Sequence, residues 1–211
     1  MIRKEDYLKN PCGSLSIPYY KAKWINVPEN MKIINSKNIE SGKLSFDHHE
    51  YIEELYFRLI HKLSNLNEAK LPEGYNLADA SADELYSHIN SCYENVHISL
   101  TELNEFMRSE IYDNELIVAL EDAETDKIVA TGIAVIDREM NEGVLEWIQV
   151  SENYRRKGLG SFIVNYLLQK MAGKADFATV SGKLQNKNNP EKLYRKCGFE
   201  GDDVWCILRR K

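Results

Sequence analysis

The spacing of apolar positions changes along the chain. Ile52, Leu55, Tyr56, Leu59, Ile60 and Leu63 recur three and four residues apart, which predicts a helix with one apolar face. Asp47, followed three residues later by Glu50, has the form of a capping box at its start, and Ser64-Asn65 ends it. Ser81 with Glu84 and Ser99 with Glu102 open two further helices. The first turns Leu85, Ile89 and Cys92 inward, the second Leu103, Phe106 and Met107. Then the period shortens. Residues 116–120 and 128–136 are rich in β-branched side chains and flank a polar connection at 122–127, the signature of a hairpin. A third strand at 144–150 follows Asn141-Glu142-Gly143. All three strands are apolar on both faces, as in a sheet covered on both sides.

Further along lie an apolar helix carrying Ile163, Val164, Leu167, Leu168 and Met171, a short strand at 177–180, a short helix at 190–196 stopped by Gly198, and a last strand at 204–208. From Gly74 the order is β, α, α, β, β, β, α, β, α, β. That is a mixed α/β domain, antiparallel at first and crossing over through a helix later. Residues 1 to about 46 show no clear period. Turn formers at Asn10-Pro11, Pro18 and Pro28 alternate with Tyr7, Tyr19, Tyr20 and Trp24, too many aromatics for a disordered tail, and a short strand is predicted at 32–34. The expected organisation is an N-terminal helical extension over 1–70 that packs on a main domain over 74–211.

Composition narrows the class. In 211 residues, 43% hydrophobic and 28% charged side chains describe an ordinary soluble protein, and no run approaches a membrane span. A net charge of −6 argues against nucleic acid or an anionic membrane as partner. The opening Met-Ile-Arg-Lys-Glu-Asp has no apolar stretch behind its charges, so no secretory leader is expected. Four scattered cysteines without a CxxC read as reduced thiols of a cytoplasmic protein. No metal site is expected; the adjacent His48 and His49 would point to different faces of a helix.

One stretch departs from this acidic background. Arg155-Arg156-Lys157-Gly158-Leu159-Gly160-Ser161 joins the third strand to the apolar helix, and 154–175 holds five basic residues, including Lys170 and Lys174, with no acid. Glycines let a ligand approach the backbone, the first helical amides lack partners, and the helix dipole favours an anion there. These residues suit a diphosphate. The spacing fits neither GxGxxG nor a loop ending in Gly-Lys-Ser/Thr.

Arg155-x-x-Gly158-x-Gly160 after the strand Val144-Leu-Glu-Trp-Ile-Gln-Val150 resembles motif A of the GNAT N-acetyltransferases. Asn189-Pro190-Glu191-Lys192-Leu193-Tyr194-Arg195-Lys196-Cys197-Gly198-Phe199 is similar to the family's motif B. The resemblance covers 74–211 and implies a GNAT-like, mainly antiparallel sheet flanked by helices, with splayed central strands. It also implies acetyl-CoA as cosubstrate. Arg155, Arg156, Lys157, Gly158, Leu159, Gly160 and Ser161 would hold its pyrophosphate, and Ile148, Gln149 and Val150 its pantetheine arm. The implied reaction is direct acetyl transfer to a primary amine of a small molecule or peptide. It needs a neutral amine, donors for a developing oxyanion and a proton for the departing thiolate.

Tyr194 matches the family's position for the proton donor, and a phenol near pKa 10 is protonated at neutral pH. As base, Glu146, Glu142 and water stay open. Asn189 either touches the cofactor or caps the helix that begins at Pro190. Cys197 and Cys206 have no histidine nearby in sequence, which disfavours a covalent cysteine route. The rival reading is a non-catalytic acyl-CoA-binding module on the same fold. The acceptor and the choice between monomer and homodimer are not encoded in any motif.

Overall fold

The computed structural model describes residues 2–93 and 97–211. In chain order its elements are α1 (Lys4–Lys9), α2 (Pro11–Ser14), α3 (Tyr19–Ala22), β1 (Met31–Asn35), α4 (Ser36–Glu40), β2 (Tyr51–His61), β3 (Tyr75–Ala78) and α5 (Ala82–Cys92). They continue with α6 (Leu100–Met107), β4 (Ile117–Asp122), β5 (Lys127–Asp137), β6 (Glu142–Val150), α7 (Leu159–Met171), β7 (Phe177–Lys183), α8 (Pro190–Lys196) and β8 (Glu200–Arg210). From β3 onward this is the predicted order. The chain divides into two compact units: Lys62–Ala178 with Lys196–Gly198, and Met1–His61 with Thr179–Arg195 and Phe199–Lys211.

In the unit built on Lys62–Ala178, β3, β4, β5 and β6 form an antiparallel meander. Two of the three predicted capping boxes are present; at Asp47 the carboxylate accepts from the His49 amide and no helix follows. Ser81 Oγ accepts from the Glu84 amide and Ser99 Oγ from the Glu102 amide, while Glu84 and Glu102 accept from the Ser81 and Ser99 amides at 2.8 and 2.7 Å. Adjacent strand residues face opposite sides, and β5 uses both. Ile133 packs with Leu85, Ile89 and Leu103 of α5 and α6. On the other face Gly132 leaves room for α7, since a Cβ there would stand 2.3 Å from Ile163 Cγ2. Coverage on both faces explains why Val129 to Asp137 is buried without alternation.

In the other unit the strands run β1, β8, β2, with Thr179–Lys183 of β7 beside β2. Here the structure corrects the sequence reading: 51–61 is not a helix but the eleven-residue strand β2. Its apolar spacing fits a helical face, yet Tyr51, Ile52, Tyr56, Phe57 and Ile60 are strong strand formers. An antiparallel partner supplies the backbone hydrogen bonds, with Tyr51 opposite Arg210 and Phe57 opposite Val204. Phe57, Arg58 and Leu59 are buried in succession because both faces of β2 are covered. On one face Arg58 Nη2 donates to the Tyr7 hydroxyl at 2.7 Å, and Trp205 Nε1 of β8 donates to the Cys12 carbonyl at 2.8 Å. On the opposite face Phe57 meets Tyr194 of α8.

Candidate functional site

The end of β6 is braced from below. Gln149 is buried and its side-chain amide donates to Thr131 Oγ1, directly across on β5. His88 of α5 continues the chain, with Nδ1 at 2.9 Å from Thr131 Oγ1 and Nε2 at 3.0 Å from Ser151 Oγ. Cys92, one helical turn on, places Sγ 3.6 Å from the same Nε2. Burial pushes the His88 imidazole below its ordinary pKa, so it sits neutral, one nitrogen donating and one accepting. Sequence reasoning missed this network. Its signal was present: His88 occupies the inward face of α5 defined by Leu85, Ile89 and Cys92. Ile148 and Glu146, by contrast, are half-buried, and Glu142 at the other end of β6 is fully buried.

After Val150 the chain turns through Glu152–Tyr154 into the basic loop. The three cations there play different parts. Arg155 folds back, its Nε donating to the Val150 carbonyl at 3.1 Å and its guanidinium 3.9 Å from Glu152. It closes the loop onto β6 besides carrying charge. Lys157 lies over the Tyr154 ring, 4.9 Å from its centroid, and Arg156 is exposed. Arg156 and Gly158 both have positive φ, +64° and +89°, around Lys157. Such alternation of left-handed residues turns backbone N–H groups towards one concave side.

α7 begins at that point, and its start differs from those of α5 and α6. No side chain caps it, its first turn holds no acid, and its N-cap is Gly158. The Phe162 amide reaches the Gly158 carbonyl at 3.0 Å, so the Leu159, Gly160 and Ser161 amides precede the first intrahelical bond. The apolar side chains Leu159, Phe162, Ile163, Val164, Leu167, Leu168 and Met171 are buried and hold the helix against its sheet. An anion fits this end through geometry and charge together. The basic patch is smaller than the sequence suggested. Lys174 is paired with Asp113 and Glu115 at 2.9 and 2.6 Å, and Lys170 lies over Tyr166. Both stand at the far end of a thirteen-residue helix, about 20 Å from the loop.

Ile148 to Ser161 therefore come together in one unit, while Tyr194 and Asn189 belong to the other. Tyr194 is buried, its ring 6.1 Å from Phe57 and 5.8 Å from Phe199. The Phe199 amide donates to the Tyr194 carbonyl at 3.1 Å, closing the turn that Gly198 makes at φ +95°. Asn189 Oδ1 accepts from the Lys192 amide at 3.4 Å, the capping geometry. Burial pushes the Cys197 thiol up to about 11, and burial followed by Glu53 pushes Cys206 to about 12. Neither is a thiolate near neutrality.

Residues 112–201 match the family model of the acetyltransferase (GNAT) domain. A GCN5-related N-acetyltransferase from Sphaerobacter thermophilus is similar in fold at a TM-score of 0.71 and 15% identity, over 85% of this chain and 58% of that one. One from Kribbella flavida gives 0.56 and 16%, over 85% and 67% of the two chains. The ribosomal-protein-S18-alanine N-acetyltransferase from Escherichia coli gives 0.50 and 16%, over 64% and 93%. The chain thus spans less than two thirds of the Sphaerobacter protein's length. No curated protein sequence matches it. The match begins just before β4 and ends in β8, so residues 112–201 are similar to the acetyltransferase (GNAT) domain and lie on a mixed α/β fold of antiparallel strands flanked by helices, the fold of these GNAT neighbours.

Proposed function

We propose that this protein is an acetyl-CoA-dependent N-acetyltransferase that moves the acetyl group directly to a primary amine of a small molecule or peptide. One observation carries the reading: the uncapped, acid-free N-terminus of α7, entered through Gly158 and flanked by Arg155, Arg156 and Lys157. That is a site for a diphosphate, the feature that distinguishes acetyl-CoA from a simple thioester. The Leu159, Gly160 and Ser161 amides and the Arg156 and Lys157 cations hold the pyrophosphate, and Arg155 keeps the loop closed on Val150. Ile148, Gln149 and Val150 offer strand backbone to the pantetheine arm.

Bound there, acetyl-CoA supplies an acetyl group activated as a thioester. The chain's own task is to move protons. Glu146, half-buried on β6, takes a proton from the incoming ammonium directly or through water. Tyr194 donates to the departing sulfur. That these structural neighbours are N-acetyltransferases supports an amine as acceptor. Calorimetry with CoA tests the carrying observation. Arg156→Ala combined with Lys157→Ala should weaken binding by about tenfold or more and flatten its salt dependence. Equal affinity in variant and parent would remove the diphosphate site. CoA binding without CoA release over a broad amine panel would instead favour a binding module.

A further inference from the structure

Within the unit that contains β2, a pocket of about 330 Å³ opens on the face shared by Leu55 and Phe57. Ile39, Phe46, Leu55, Leu184 and Val204 make its walls, and their hydrocarbon dominates the lining. This is the size at which small-molecule sites begin. Its acidic groups are Glu53 and Glu40; Ser36, His48 and Cys206 also line it, and neither lysine nor arginine is among the lining residues.

Glu53 is held in place by its neighbours. The Cys206 thiol, from the opposite strand, donates to Glu53 Oε1 at 3.1 Å. A thiol pushed up to about 12 remains a donor across the working pH range. The second oxygen, Oε2, faces His48 Nδ1 at 3.7 Å, beyond hydrogen-bond length. Phe46 packs on the His48 ring at 4.5 Å and edge-on to Tyr51 at 6.4 Å, so the aromatic wall beside the carboxylate is itself supported. The carboxyl side chain is 34% exposed, shielded enough to strengthen a charge contact and open enough to admit one.

We propose that this pocket binds an organic monocation, an ammonium group carried on a hydrocarbon or aryl body, with Glu53 as its counter-ion and the apolar wall as its seat. The site is separate from the basic loop before α7, whose chemistry calls for an anion, and it stands whether or not acetyl transfer occurs. An apolar wall alone takes any greasy ligand; the positioned carboxylate selects the cation. Where the proposed transferase reading also holds, the same class describes an acceptor amine.

Titration calorimetry with hexylammonium, phenethylammonium and the neutral isostere hexanol tests it on the full chain. The ammonium ligands should bind at submillimolar concentration, with hexanol at least about tenfold weaker, and Glu53→Gln should remove that preference. The exposed position of Glu53 should let this variant fold, which circular dichroism checks. CoA affinity, measured on the same samples, should be unchanged in Glu53→Gln. No ammonium binding up to about 10 mM in parent protein, or equal binding of hexanol and hexylammonium, overturns the proposal. Loss of CoA binding in the parent would strike the proposed diphosphate site and leave this one intact.

Discussion

The ring of Tyr194 has a structural use whatever its hydroxyl does, because Phe57 and Phe199 pack against it. Replacing it with Phe keeps that packing and removes the hydroxyl proposed as proton donor. Tyr194→Phe should therefore shift stability by no more than about 1 kcal/mol and leave CoA affinity unchanged, while lowering turnover by about 100-fold. Unaltered turnover would return Tyr194 to a packing role. At this scale the sequence was informative about residue type and silent about direction. Motif spacing singled out Arg155, but not that its Nε turns back to the Val150 carbonyl. Lys174 counted as part of a basic cluster until the fold brought Asp113 and Glu115 against it. Local spacing cannot see a partner some sixty residues away. His88 was missed for the opposite reason: it stands on an apolar face, where a histidine looks like packing until Thr131 and Ser151 arrive on either side.

Elements followed the same logic. α5 and α6 were legible because their capping boxes are local: each serine and its glutamate satisfy one another within four residues. β4, β5 and β6 were legible because β-branched runs broken by a polar turn have few alternatives. β2 was not. Its spacing fits a helix, and its neighbours β7 and β8, far along the chain, decide otherwise. The crossing of α7 over β5 depends on a single absent side chain. A Cβ at Gly132 would stand 2.3 Å from Ile163 Cγ2 and 3.1 Å from both Leu167 Cδ1 and Val118 Cγ1. Gly132→Ala should lift α7 from the sheet and cost about 1–3 kcal/mol in urea unfolding, with weaker CoA binding because the helix start moves too. Parent-like stability would show that α7 can slide without strain.

For the molecule as a whole, two buried imidazoles set an acid limit. Burial holds His61 and His88, one in each unit, below the ordinary value of 6.5. The unfolded chain therefore binds a proton at each site before the folded chain does. Stability is full above about pH 6.5 and falls as the pH drops below it, until the folded-state imidazoles themselves protonate. Each contributes a slope of up to about 1.4 kcal/mol per pH unit. Unfolding by urea at pH 7.5, 6.5 and 5.5 should show a small loss between the first two and a larger one at the third; a flat profile would mean that neither ring's affinity for a proton changes on folding.

The placement of β2 between β7 and β8 has a temporal side. Tyr51 faces Arg210, so β2 finds one of its two neighbours only when a segment 159 residues further along has been translated. Until then its hydrogen-bonding edge towards β8 is exposed, and the contact that closes it joins segments distant in sequence. Slow closure follows, along with a dependence on whatever shields that edge while the ribosome finishes. A polypeptide stalled after β7 would be a better seed for aggregation than either the finished protein or a shorter nascent fragment lacking β2.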